Sequence, residues 1–253
     1  VLWQLCLIIS GLYLLSSGAD KLVDESSEIA SGLGISPAII GLTIVAFGTS
    51  LPEITTTVLA VLQEGEAAKN AADLAVGNII GSNISNIALV LALSIFLKPM
   101  SKAISPMKFE TLLMVFVSLL FLILALLDQL DFSAGIALIS IFLLFQIYLI
   151  YSLKKSSKEN SDTNSKKPIP FFSFIGCALG LLLLITGAEI LIKSAVKLAS
   201  LAGLSSGFIG LSIVALGTSL PELATSISAL KRSEYEMAFG NVLGSNFLNI
   251  KSQ

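Results

Sequence analysis

The sequence predicts an all-α polytopic membrane protein built from two related halves that enter the membrane in opposite senses. Three observations carry this. Apolar residues make up 55% of the 253 and charged residues only 13%, with mean hydropathy +0.91, a balance foreign to soluble domains. The apolar residues fall into eight runs, each near the roughly 17–25 residues that a helix needs to bridge a hydrocarbon core. One phrase also occurs twice: GLTIVAFGTSLPE at 41–53 and GLSIVALGTSLPE at 210–222 match at 11 of 13 positions.

The runs are expected at about 1–19, 36–62, 72–97, 109–127, 132–152, 170–192, 205–230 and 234–250. The first, VLWQLCLIIS, has no basic residues ahead of it and no small-residue cleavage site, so it reads as a membrane helix rather than a signal peptide. Short polar connections separate the runs, with Pro37, Gly65, Pro99, Pro106 and Pro168 marking turns. Residues 154–168, KKSSKENSDTNSKKP, lack an apolar face and read as a flexible linker between the halves 1–153 and 169–253.

Basic residues set the orientation. With the linker in the cytoplasm, eleven Lys and Arg lie inside (Lys21, three at 98–108, five in the linker, Lys231 and Arg232) and four outside. That asymmetry predicts the N-terminus outside. The two copies then sit in segments 2 and 7. Five crossings separate them, so they enter from opposite faces, the inverted repeat of many secondary transporters. Elsewhere SGAD at 17–20 parallels TGAE at 186–189 at the same offset of 169. The first half holds five segments and the second only three, so two further helices are expected beyond Gln253.

Composition narrows the chemistry. A net charge of −2 offers nothing for nucleic acid. The absence of His removes imidazole catalysis and haem ligation, and Cys6 and Cys177, both in apolar runs, predict neither a disulfide framework nor a thiolate metal site. Each copy of the repeated phrase ends in a glutamate, Glu53 or Glu222, inside an apolar run. An ionisable group at helix centre costs roughly 2.5–3.5 kcal/mol on insertion scales, so two at equivalent places point to a function. Pro52 and Pro221 interrupt the helix just before them, and carbonyls near Ala46, Thr49, Ala215 and Thr218 are expected to turn toward a ligand. Thr49 and Ser50 share a helical face with Glu53, as Thr218 and Ser219 do with Glu222.

A second pair of phrases follows, GNIIGSNISNI at 77–87 and GNVLGSNFLNI at 240–250. Asn78, Ser82 and Asn86 form one polar stripe at four-residue spacing; Asn241, Ser245 and Asn249 form its equivalent. Gly77/Gly81 and Gly240/Gly244 are small-xxx-small pairs suited to close helix approach. Asn78, Asn83, Asn241 and Asn246 read as packing residues or supports behind the site. Carboxylates, hydroxyls, amides and carbonyls without nitrogen or sulfur donors suit a hard cation, Ca²⁺ at about 2.3–2.6 Å or Na⁺ by the same logic.

The doubled G-T-S-L-P-E followed by G-N-x-x-G-S-N resembles the α-repeats of the sodium/calcium exchangers, in the cation/Ca²⁺ antiporter superfamily. The resemblance implies ten helices as inverted five-helix repeats, about eight of them present here. It also implies exchange of about three Na⁺ for one Ca²⁺ by alternating access. Carried over by position, Glu53 and Glu222 match the central ion-binding glutamates. Thr49, Ser50, Thr218 and Ser219 match hydroxyl and carbonyl ligands, Ala46 and Ala215 carbonyl donors, and Ser82, Asn86 and Ser245 polar ligands. Asn249 stands where some relatives carry Asp, and an acid there is associated with K⁺ use; K⁺-independent, electrogenic exchange is therefore expected. Ca²⁺ and Na⁺ would be substrates, with no cofactor, no obligate protein partner and no Ca²⁺-sensing domain in so short a linker. The prokaryotic cell membrane is the expected location.

Four other readings compete, the first being a truncated chain that does not transport because the two further helices are missing. A cation/H⁺ antiporter would use a glutamate as proton carrier. A carboxylate-based intramembrane hydrolase lacks a water-activating motif, and the repeat gives a symmetry that hydrolysis does not need. A channel would need a continuous pore rather than two interrupted helices.

Overall fold

The computed structural model describes residues 2–61, 77–99, 107–127, 129, 131–159, 171–204, 213 and 215–251, and all regular structure among them is helical. In chain order these are α1 (Leu2–Leu33), α2 (Pro37–Thr49), α3 (Leu51–Val61), α4 (Gly77–Leu97), α5 (Lys108–Leu126), α6 (Phe132–Glu159), α7 (Phe171–Leu201), α8 (Ala215–Thr218), α9 (Leu220–Lys231) and α10 (Tyr235–Lys251). Five of them, α1, α4, α5, α6 and α7, are long and apolar enough to cross a membrane; α2 is shorter.

The first and sixth predicted spans are longer than the sequence led us to expect. The apolar runs there cover 1–19 and 170–192, yet α1 runs 32 residues and α7 runs 31. The acidic stretch after Asp20 looks like a loop but stays helical because its charges find partners. Lys21 pairs with Glu25 one turn on at 3.2 Å, Ser173 of α7 donates to Glu28, and Arg232 pairs with Asp20 and Asp24. The expected linker 154–168 also needs correcting. Its first six residues continue α6 to Glu159, and 160–168 lie outside the described residues.

Both long helices end alike. Gly34 and Gly203, 169 apart, take φ of +66° and +81°. The Ile35 and Leu204 amides reach back to the Ala30 and Ala199 carbonyls at 3.0 and 3.1 Å. This is the six-residue closing bond of a helix stopped by a left-handed residue, where glycine carries no Cβ penalty. The repeat thus extends to the helix stops.

α1 and α7 lie against each other through glycines. A Cβ added to Gly11 would sit 2.9 Å from the Gly187 carbonyl oxygen, and one added to Gly180 would sit 2.8 Å from the Leu22 amide nitrogen. The second centre of packing is α10. It lies against α2, α9, the Asn86–Leu91 portion of α4, α5 and α6, and is buried over nearly its whole length. Gly240 and Gly244 allow this approach: Cβ atoms there would come within 2.5 Å of the Ala38 carbonyl and 2.6 Å of the Leu42 carbonyl. Phe247 stacks on Phe145 of α6 with centroids 4.6 Å apart. The opposite surfaces of the outer helices carry exposed Phe96, Leu126, Phe132 and Phe171, the apolar exterior a bilayer requires.

Two local features had no clear signal in the sequence. Gly41–Val45 and Asn86–Leu91 are wider, π-type turns within α2 and α4, a form of distortion often found at functional sites. The first makes up the opening five residues of the repeated phrase, and the second begins within GNIIGSNISNI.

Candidate cation site

The site begins with the interruption between α2 and α3. Ser50 leaves helical geometry (φ −85°, ψ 3°), and α3 starts at Leu51 with Pro52 in its first turn and Glu53 next. Ser219 does the same between α8 and α9 (φ −88°, ψ 4°), followed by Pro221 and Glu222. Pro has no amide proton, so the ladder of backbone bonds cannot run through it unbroken. Ile54 and Leu223 amides restart it from the Ser50 and Ser219 carbonyls at 3.0 and 3.1 Å. Each glutamate therefore sits in the first turn of a half-helix, where the backbone dipole favours negative charge.

The two halves bring these turns together. Glu53 and Glu222 are exposed by only 1% and 0%, and are near enough to act on each other as charges. Ser50, from the first copy, donates to Oε1 of Glu222 at 3.1 Å. Thr49 lies 3.4 Å from the Ser245 hydroxyl and 3.2 Å from Oδ1 of Asn241. Asn249 donates to Ser82 at 2.9 Å, joining α10 to α4. Asn86 donates to Oδ1 of Asn246 at 3.0 Å, and Asn246 faces the Met114 sulfur. The Ala46 carbonyl accepts from the Ser50 amide at 3.0 Å and also lies 3.3 Å from the Thr49 hydroxyl, whose one proton can go to it or to Asn241.

Nearly all the residues singled out from sequence are thus buried, and hydrogen bonds join several of them across the two halves. Thr49, Ser50, Glu53, Ser82, Asn86, Ser219, Glu222, Ser245 and Asn249 are all buried, and they come from both halves. Thr218 is partly buried at the end of α8, which Ala215 opens. Sequence reasoning missed Thr57, Thr225 and Ser226, which are also buried and bond to Asn78 or Asn241. A signal for two of them existed, since Thr57 and Ser226 are hydroxyl residues exactly one repeat apart in register, four past their glutamates.

What stands out electrostatically is what the carboxylates lack. Both oxygens of Glu53, Oε2 of Glu222 and Oγ of Ser219 have no hydrogen-bond partner among the described residues. Neither glutamate forms an ion pair with a described Lys or Arg. Among the described residues no three acidic, Cys or His side chains gather at one place. The site is two carboxylates in a shell of hydroxyl and amide oxygens. Burying an uncompensated carboxylate is costly, and an oxygen-coordinated cation relieves that cost for both groups at once.

The two halves are not equivalent in detail. Ser50 is bonded to Glu222, while the corresponding Ser219 and Glu53 are not bonded to each other. Gly240 and Gly244 touch α2 closely, while a Cβ added at Gly77 or Gly81 would meet no atom of another described element within 4 Å.

Comparison with known proteins agrees with this architecture. The sodium/calcium exchanger protein family model matches residues 3–151 and 172–251. The putative antiporter CaxA of Alkalimonas amylolytica is 39% identical over 251 residues, covering 96% of this chain and 76% of its own length. The membrane protein MJ0091 of Methanocaldococcus jannaschii is also 39% identical, over 241 residues, covering 95% and 76%. A solved structure of the sodium-calcium exchanger NCX_Mj, soaked with zero Na⁺ and Ca²⁺, superimposes with TM-score 0.80 at 35% identity, across all of this chain and 80% of that one. The two interrupted helices, the paired glutamates and these matches lead to one conclusion: this integral membrane protein belongs to the sodium/calcium exchanger family, whose members it resembles as cation/Ca²⁺ antiporters.

Proposed function

We propose that the chain exchanges Na⁺ for Ca²⁺ across a membrane, by alternating access to the Glu53–Glu222 site. The observation that carries this is the pair of buried carboxylates, one from each inverted half, with three of their four oxygens unpartnered by any described protein group. Two negative charges neutralise one Ca²⁺, and the surrounding Ser and Thr hydroxyls and Asn carbonyls complete an oxygen-only shell. Glu53 and Glu222 would be shared ligands for either ion. Thr49, Ser50, Thr218, Ser219, Ser82, Asn86, Ser245 and Asn249, with the Ala46 and Ala215 carbonyls, would divide the remaining positions. The Ser50 amide takes one lone pair of the Ala46 carbonyl, and with the Thr49 proton turned to Asn241 the other is left for an ion.

Mutual exclusion follows from charge. About three Na⁺ would leave the two glutamates at a net +1 and one Ca²⁺ would leave them neutral, so both loads cannot be held together, and each cycle moves charge. Asn249 adds no third carboxylate, which favours K⁺-independent exchange. The excess of basic residues on one face supports an N-terminus outside and residues 154–168 in the cytoplasm, and the prokaryotic relatives favour a prokaryotic cell membrane.

The test is Ca²⁺ flux in proteoliposomes with Na⁺, H⁺ and K⁺ gradients and a membrane potential imposed one at a time. Na⁺-driven flux that responds to potential and ignores K⁺ is expected. Flux driven by a pH gradient in the absence of Na⁺ would instead assign the protein to cation/H⁺ exchange.

A further inference from the structure

Asn78 and Asn241 stand at equivalent places in the second motif, and each makes the same attachment in its own half. The side-chain amide of Asn78 faces the Glu53 carbonyl at 3.4 Å and the Thr57 hydroxyl at 3.3 Å. That of Asn241 faces the Glu222 carbonyl at 3.4 Å, the Ser226 hydroxyl at 3.5 Å and the Thr225 hydroxyl at 2.9 Å. Thr57 and Ser226 are repeat partners, so the pattern is reproduced by two different stretches of chain rather than arising once. An amide group has two protons to give, so Asn241 satisfies two of its three neighbours at a time.

The attachment lies where the half-helix is least constrained by itself. α3 and α9 each begin just before a proline, and the carbonyl that Asn engages belongs to the glutamate. A carbonyl has two lone pairs, so it can accept its helical bond and the amide together. Asn241 adds a link that Asn78 does not make: its Oδ1 accepts the Thr49 hydroxyl proton at 3.2 Å, tying the second half to the first. With that proton directed at Asn241, the Thr49 oxygen is left to accept from the Ser245 hydroxyl 3.4 Å away.

We infer that Asn78 and Asn241 are positioning residues of the cation site. Each fixes the backbone of its glutamate against the neighbouring helix, and Asn241 also sets the hydroxyl direction of Thr49. This rests on the reading of the glutamate pair as a cation site. It separates the two asparagines by role: both hold a carboxylate in place, and only Asn241 is coupled to Thr49.

The experiment uses the full-length protein in detergent and reads the rise in unfolding temperature with added Ca²⁺, a binding signal that does not require transport. Asn78→Leu and Asn241→Leu keep side-chain size and remove all polar atoms. Each is expected to weaken apparent Ca²⁺ affinity roughly 5- to 100-fold, the range for stripping a buried polar contact. Combined with Thr49→Ala, Asn241→Leu should be non-additive, the double variant losing little more than the worse single one. Asn78→Leu should combine additively with Thr49→Ala. If Asn241→Leu does not fold, Asn241→Ser goes through the same cycle and the same result is expected. Wild-type affinity in the asparagine variants, or additivity at 241 equal to that at 78, overturns the positioning role while leaving the cation site standing. A wild-type protein indifferent to both Ca²⁺ and Na⁺ overturns the site itself and this inference with it.

Discussion

Replacing Gly244 by Ala tests whether the approach of α10 to α2 holds the site together. The added carbon would lie 2.6 Å from both the Leu42 carbonyl oxygen and the Ala46 Cβ, and 3.0 Å from the Leu42 carbonyl carbon. Ordinary carbon contacts begin at about 3.5 Å, so α10 must withdraw by about 0.7–0.9 Å. The Thr49–Ser245 distance, now 3.4 Å, would then exceed the reach of a hydrogen bond. Overpacking of this kind costs about 1–3 kcal/mol, or roughly 5- to 150-fold in the folding equilibrium. Gly81→Ala is the control at the equivalent position, where the new carbon meets nothing within 4 Å among the described residues. It removes a helical glycine and should leave stability unchanged or raise it slightly. Thermal unfolding in detergent, with and without Ca²⁺, reads both effects. A Gly244→Ala protein that unfolds and binds like wild type, or a Gly81→Ala protein equally damaged, would refute the reasoning.

Other perturbations probe features away from the site. Arg232 joins the turn before α10 to Asp20 and Asp24 of α1, and the hydrogen bonds it donates to Asp24 hold its guanidinium pKa above the ordinary value against the desolvation that lowers it. Arg232→Gln should lower the unfolding temperature by the equivalent of about 1 kcal/mol or less per pair, and the difference should shrink in high salt. Gly34→Ala and Gly203→Ala should each cost about 1–2 kcal/mol, measured by the same unfolding assay, because both positions need left-handed backbone. Asp131 caps α6, accepting from the Ala134 amide and the Ser133 hydroxyl, and these bonds lower its carboxyl pKa below 3.8. Its contribution is present above the unfolded value and is lost as pH falls through the lower folded one. Asp131→Asn should therefore flatten the acid-side loss of stability and still cap the helix.

Much of the site was legible because its logic is local and doubled. Proline before glutamate breaks a helix wherever it stands, and two copies at a fixed offset mark the interruption as functional rather than accidental. The four-residue polar stripe of Asn78, Ser82 and Asn86 also needed only helical geometry. What could not be read was the pairing across halves. That Ser50 would reach Glu222 and Thr49 would meet Asn241 depends on how α10 seats against α2, a property of the packed molecule. The length of α1 was missed for the same reason. Asp20, Asp24 and Glu28 argue for solvent until Arg232 and Ser173, more than 140 residues away, supply their partners. The similar ends at Gly34 and Gly203 lay within reach of the offset of 169, since ASGLGIS at 30–36 and ASLAGLS at 199–205 share four of seven residues. A glycine's role as a helix stop, however, shows only once the helix is seen to run that far.

The most direct test of the central claim is radioactive Ca²⁺ uptake into Na⁺-loaded proteoliposomes, comparing wild type with Glu53→Gln and Glu222→Gln. Each Gln keeps size and hydrogen-bonding capacity while removing one charge from the pair. An outward Na⁺ gradient should drive uptake by the wild type, and either substitution should abolish it. Uptake that ignores the Na⁺ gradient, or that persists at the wild-type rate in either variant, would contradict a site built on the two carboxylates.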